Sequence, residues 1–525
     1  GTKMIRLSSF GKLIFTSLLV FSIAACSDSS TEITSPGSQG PNPGVNQQPA
    51  PDPAPAPDPA PDPDPAPAPD PVAGNCPDGT SEITVGSATH CELEGVITSN
   101  TTLVAGNTYT LKGKVTVGVN TDSSGAGGTQ AILTIQPGVT VYGQNVTSYL
   151  VVSRGSRLEA NGTQASPITF TSAQDMQVAA SFNQTQRAAY TGLAQNDPNT
   201  SEWGGIVING LATINTCNQV GTCEAEGEGD SGLYGGTNDA DNSGTLSYVL
   251  VKYAGNPITA TDELNGIAFQ GVGSGTTIDY LQVHNGADDG IEFFGGTVNV
   301  KHLVVTGADD DSIDWTHGYT GKIQHVVVYQ NDNQANSDRG IEADNLEGNN
   351  DFLPRSGPTI VNATLVGGTS VGDTGVVLRR GTTGKLYNFV MTNWRDACYD
   401  LDSTATFTAA GTSAVALTGD TVVQSSLLDC SDPTDDETGD PWNLRAFIEN
   451  QSNNFTSGPP PTGRSSSLVA PTGGTRSFIS GVNEGTVTAF DASTLDPFFD
   501  STDYIGGVKD AANNWTSGWT VWLNQ

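Results

Sequence analysis

Charge is scarce in this 525-residue chain and lopsided where it occurs. Only 15% of residues are charged, and 21 Lys and Arg face 56 Asp and Glu, for a formal net charge of −35. A surface of that sign repels phosphate backbones and anionic headgroups, which argues against nucleic acid and leaves divalent cations and neutral or cationic ligands open. Methionine is nearly missing, with 3 residues, and long helical runs are few, which weighs against an α-helical bundle. No phosphate loop, dinucleotide fingerprint or convincing nucleophile triad occurs. What is plentiful is glycine, 63 residues, and the 36% hydrophobic share suits many short strands joined by polar turns.

The start reads as an address. Arg6 and Lys12 precede an apolar run, Leu13 to Ser22, that closes on Ile23-Ala-Ala-Cys26. This basic, apolar, small-residue series predicts a secretory signal, too short for a good spanning helix. Cys26 resembles the lipidated Cys of the bacterial lipobox, which implies a membrane partner through an acyl anchor. Ser27 after it implies outer-membrane sorting and exposure at the cell surface. Residues 27–75 form a tether whose stretch 49–71 alternates Pro with Ala and Asp, and should be extended polyproline II. At about 3.1 Å per residue that stretch reaches roughly 70 Å. The other cysteines, Cys76, Cys91, Cys217, Cys223, Cys398 and Cys430, are even in number, as disulfides in an exported chain require. Proximity favours 76 with 91, 217 with 223, and 398 with 430, among fifteen possible connectivities.

From residue 131 to 450 the chain repeats. Gly266-Ile-Ala-Phe269, Gly290-Ile-Glu-Phe293, Ser312-Ile-Asp-Trp315, Gly340-Ile-Glu-Ala343, Gly375-Val-Val-Leu378 and Cys398-Tyr-Asp-Leu401 share one pattern. Second strands follow at Tyr280–Val283, His302–Val305 and His325–Val328. Periods mostly in the low twenties without intervening helices predict an all-β, right-handed parallel β-helix. Ile267/Phe269, Ile291/Phe293, Ile313/Trp315 and Ile341/Ala343 should line one inner wall, and Leu281/Val283, Leu303/Val305 and Val326/Val328 another. Residues 76–130 are expected to form an N-terminal cap, and the aromatic-rich 451–525 a plug over the far end.

Coils about 4.8 Å apart turn sequence repeats into columns. Glu292, Asp314 and Glu342 stack outward on successive coils, beside Asp288, Asp310, Asp338, Asp373 and Asp396, and beside Asp289 and Asp311. Three readings compete. Turn chemistry explains the Asp columns through side chains that accept backbone N–H groups, but not the acids within strands. Ca2+ would take carboxylate oxygens of Asp288, Glu292, Asp314 and Glu342, and Asn238, Asp239 and Asp241 make a second oxygen-rich loop, as does Glu224–Asp230. Glycoside hydrolysis is the third: Asp289-Gly290 followed by Asp310-Asp311 resembles polygalacturonase-type β-helix glycosidases, which would make Asp289, Asp310 and Asp311 catalytic. That family's Gly-His-Gly and basic clamp have no match, Arg379-Arg380 being the nearest basic pair. His302 and His325 share an outward register and could share a metal, though polar stacking accounts for them. Phe294, Tyr319 and Trp394 could form a sugar platform. Gly229-Asp230-Ser231-Gly232 resembles a serine-protease nucleophile motif but reads as a turn.

Trp203-Gly-Gly-Ile-Val-Ile-Asn-Gly210, Asn242–Val249, Asp289–Gly296, Asp311–Trp315 and Trp515-Thr-Ser-Gly-Trp519 resemble exported bacterial β-helix lipoproteins over about 130–525. The likeness implies fold and location and carries no catalytic residues. The sequence therefore points first to a lipid-anchored surface β-helix that binds polysaccharide or a surface protein. The alternatives are a polysaccharide-active enzyme using 288–314, and an accessory lipoprotein of an outer-membrane transporter.

Overall fold

The structure is a computed structural model that describes residues 75–182, 200–217, 223–259, 262–457 and 463–525. The signal, Cys26 and nearly all of the tether lie outside these residues. The chain winds as a parallel β-helix, with short strands pairing in parallel from coil to coil. Alternation aims every second residue inward. Ile267, Ile291, Ile313 and Ile341 form one fully buried column, and Phe269, Phe293, Trp315 and Ala343 the next. Leu281, Leu303 and Val326 form a column on the second wall, also fully buried. Each aliphatic side chain so buried contributes about 2 kcal/mol. Stacked aromatics thicken the core, as with Phe293 on Tyr319 at 4.4 Å.

Each second-wall strand is bent once. Tyr248, Tyr280, His302, His325, Asn362, Asn388 and Ser425 stand at the bend with φ between 48° and 61°, and the coil-to-coil register skips them. Thr277–His284 thus lies on two faces, and the coil has three. Asn and His tolerate this left-handed conformation better than most L-residues. The rings gain by stacking, Tyr248 on Tyr280 at 4.2 Å, Tyr280 on His302 at 4.1 Å and His302 on His325 at 4.7 Å.

Both ends differ from expectation. Parallel winding begins already at Ala88–Ile97 on Thr108–Val117, well inside the stretch read as a cap. What closes that end is the antiparallel hairpin of Ser81–Val85 on Ala88–Ile97, pinned by Cys76–Cys91. At the far end two short helices, Thr404–Ala410 and Leu444–Asn450, close the core with Phe407, Trp442 and Phe447. The aromatic tail instead runs back along the flank of the bend column. Phe490 bonds Asn388, Asp500 bonds His325, Val521 bonds Gln282 and Ser517 bonds Gln164. Trp519 packs edge-on to Tyr248 and Tyr280, covering an apolar ladder that would otherwise face water. The three disulfides pair by proximity, 76 with 91, 217 with 223 and 398 with 430.

Candidate functional site

On the first face the outward column reads Val151, Val207, Ala268, Glu292, Asp314, Glu342, Val377, Asp400. Its apolar beginning is covered by the loop between Gly205–Asn209 and Gly244–Lys252, whose Ile214, Cys223 and Tyr234 pack on Val151, Val207, Ala268 and Phe294. Arg154, 1% exposed, anchors this loop through Gly235 O at 2.8 Å and Glu224 at 2.8 Å. Where the cover stops, the carboxylates begin.

Two kinds of acid meet there. Asp289 and Asp311 belong to a side-chain ladder in which each coil caps the next: Asn265 Oδ1 accepts from Asp289 N–H, Asp289 Oδ1 from Asp311 N–H, and Asp311 Oδ1 from Arg339 N–H. Turn chemistry accounts for these two. It does not account for Asp288, Asp310 and Asp338, whose backbones pair with one another while their side chains accept from no backbone N–H among the described residues. Glu292 and Asp314 lie on the strands themselves. Asn265 Nδ2 donates to both Glu228 (3.0 Å) and Glu292 (2.7 Å), so these two oxygens stand less than about 6 Å apart. Glu228 comes from the covering loop, and neither it nor Asn265 stood out as part of this cluster in the sequence.

Carboxylate oxygens within 4.8 Å of one another form four overlapping trios: Asp288, Asp289 and Asp310; Asp289, Glu292 and Asp314; Asp310, Asp311 and Asp338; and Asp311, Asp314 and Glu342. Burial, then neighbouring acids, pushes the carboxyls of Glu228, Asp289, Asp311 and Asp314 well up, and does the same to Glu292 against the pull of Asn265. Asp288 is pushed up to about 7 and Asp310 to about 6, the latter by burial and Glu342 against the pull of Arg339. Positive charge sits at one end only. Arg339 pairs with Asp338 and Glu342, Arg379 with Glu342 and Asp344, and Arg380 with Asp344. Among the described residues no ion pair reaches Asp289, Glu292 or Asp314.

The model of a family described as pectate-lyase like beta helix domain matches residues 95–183 and 173–456, more than half of the chain. The chain belongs to the pectate-lyase-like β-helix family. No curated protein and no solved structure matches it.

Within this family member the trio Asp289, Glu292 and Asp314 has the donor chemistry of a Ca2+ site. Oxygens bound at 2.3–2.6 Å to one ion lie at most about 5 Å apart, the spacing found here. A divalent ion would also offset the burial and mutual repulsion that disfavour the charged form of these groups. Glu342 fits less well, being neutralised by two arginines. The other oxygen-rich loop is occupied otherwise: Asp239 accepts from Thr213 N–H, Asp241 from Leu211 N–H and Asn238 from Ala240 N–H. Those oxygens stitch a turn.

The remaining sequence candidates separate cleanly. His302 and His325 are neighbours, yet His302 Nδ1 meets Asp279 at 2.7 Å and His325 Nε2 meets Asp500 at 3.1 Å, so stacking describes them and a shared metal does not. Phe294, Tyr319 and Trp394 are buried, at 8%, 0% and 1% exposure, which removes them as a sugar platform. Gly229 and Asp230 make a turn with φ of 66° and 50°, and the Ser231 hydroxyl faces Gln270. A cleft lined by residues 485–489, Asp491 and residues 501–503 lies within the tail, and among the described residues none of the four carboxylate trios falls there.

Proposed function

We propose that this is an exported, lipid-anchored β-helix that binds an acidic polysaccharide through a Ca2+-loaded first face. The observation that carries the reading is the trio Asp289, Glu292 and Asp314, close together, largely desolvated and without a basic partner, while the arginines gather one coil further on. A cation held there keeps open positions toward solvent and attracts carboxylate or hydroxyl oxygens of a glycan lying along the coils. The disulfides support export, since such bonds persist in oxidising compartments. Titration calorimetry with polygalacturonate, alginate and a neutral galactan tests this. Binding of an acidic glycan that requires Ca2+ and is lost in Glu292→Gln and Asp314→Asn is the expected result; Ca2+-independent binding, or none, refutes it.

Polysaccharide cleavage is favoured by one specific observation. Glu228 and Glu292 share a single amide donor, which keeps their bonded oxygens less than about 6 Å apart, a span that admits the roughly 5 Å a retaining glycosidase places between its acid and its nucleophile. Release of reducing ends or of unsaturated product, abolished by Glu228→Gln, would establish it.

A further inference from the structure

The corner that ends the first face favours glycine. Gly271 and Gly295 hold it with φ of 59° and 65°, and the equivalent place on the next coil is taken by His317 at 55°. An L-residue in this conformation is strained and persists where its surroundings over-determine it. Here they do. The His317 backbone donates to Asn345 O and accepts from Asn215 N–H. Its ring lies parallel to Tyr234 with centroids 6.3 Å apart, and Phe294 meets it edge-on at 5.5 Å.

The Tyr234 hydroxyl is 2.5 Å from His317 Nδ1. This phenol is 1% exposed, and burial, then Glu228 and Glu292, keeps it protonated. Nδ1 is the one acceptor its hydroxyl meets among the described residues, and a Tyr234 that donates to it leaves the proton of a neutral imidazole on Nε2. Nε2 has no partner among the described residues. A charged donor could not stay free in this neighbourhood: Arg339, Arg379 and Arg380 are all held by carboxylates. A neutral N–H escapes that capture.

We propose that Tyr234 fixes His317 as a neutral Nε2–H donor that recognises a hydroxyl or ring oxygen of a sugar bound beside Asp314, and so positions the glycan across the face. This rests on the polysaccharide reading above and adds to it a recognition contact that neither cation nor arginine supplies. The tautomer is readable without ligand. Long-range proton–nitrogen correlation spectra of the folded protein should show His317 protonated at Nε2; a ring protonated at Nδ1 overturns the proposal. In calorimetry with an oligogalacturonide and saturating Ca2+, His317→Gly should bind about tenfold more weakly, the worth of one neutral hydrogen bond. The glycine suits the corner but leaves the buried Tyr234 hydroxyl without its acceptor, so the melting temperature should fall modestly while Ca2+ affinity holds. Tyr234→Phe should lose several-fold and release the tautomer. If the unaltered protein binds no acidic glycan, both readings fall. If it binds and His317→Gly binds equally well, this inference alone falls.

Discussion

Ca2+ should stabilise this protein more as pH rises from 5 to 7. Without a cation, burial keeps protons on the acidic face: Asp288 and Asp338 are pushed up to about 7 and Asp310 to about 6, from an ordinary 3.8. A carboxyl whose folded pKa lies above its unfolded value holds more protons when folded. Stability then falls with pH between the two values, by about 1.4 kcal/mol per pH unit for each extra proton. Burial pushes His90, His317 and His325 down, and they pull the opposite way below about 6.5. Comparing loaded with chelated protein cancels what these imidazoles contribute in both states, so that difference is the decisive quantity. Displacing one proton across the window enlarges that difference by roughly 3 kcal/mol, and solvent access to Asp288 and Asp310 brings it nearer 2. In calorimetric scans at pH 5, 6 and 7 with Ca2+ or with chelator, the gap in melting temperature should widen by about 2–4 °C if the solenoid melts as one unit. Asp314→Asn should shrink the gap. A gap that is absent, constant, or narrows with pH would refute the reasoning.

Three further outcomes follow from the geometry. Asp289→Asn keeps an oxygen for the buried Asp311 N–H and should fold normally, whereas Asp289→Ala orphans that donor and should cost about 1–3 kcal/mol in denaturant unfolding. Trp519→Ala removes an indole that is 3% exposed from against Tyr248 and Tyr280. It should cost about 3 kcal/mol and open the tail to limited proteolysis while the coils stay protected. Arg154→Met deletes the buried clamp on the covering loop, leaving Thr121 O and Gly235 O without their donor. It should destabilise by about 2–4 kcal/mol and weaken glycan binding, both checked on one preparation by melting and calorimetry.

The solenoid was legible because its cause is local and periodic. An inward Ile must recur at each coil, and Ile267, Ile291, Ile313 and Ile341 do so in adjacent register. The acid columns were legible for the same reason. Their chemistry was not. That Asp289 caps a coil while Glu292 lies uncapped depends on which oxygen faces which N–H, and Asn265 and Glu228 enter only because a long insertion folds back over the face. Strand alternation also misassigned Phe294, Tyr319 and Trp394: outward or corner residues become core once a loop or a turn covers them.

The amino-acid order alone determined the winding and the stacking of acids and favoured the cysteine pairing that the structure shows, since each follows from contacts between residues about one coil or less apart. The tertiary structure decided where the aromatic tail lies, which carboxylates lack a partner and which side chains meet the His317 ring. Those depend on segments distant in the chain meeting on one surface, and no repeat in the sequence encodes that meeting.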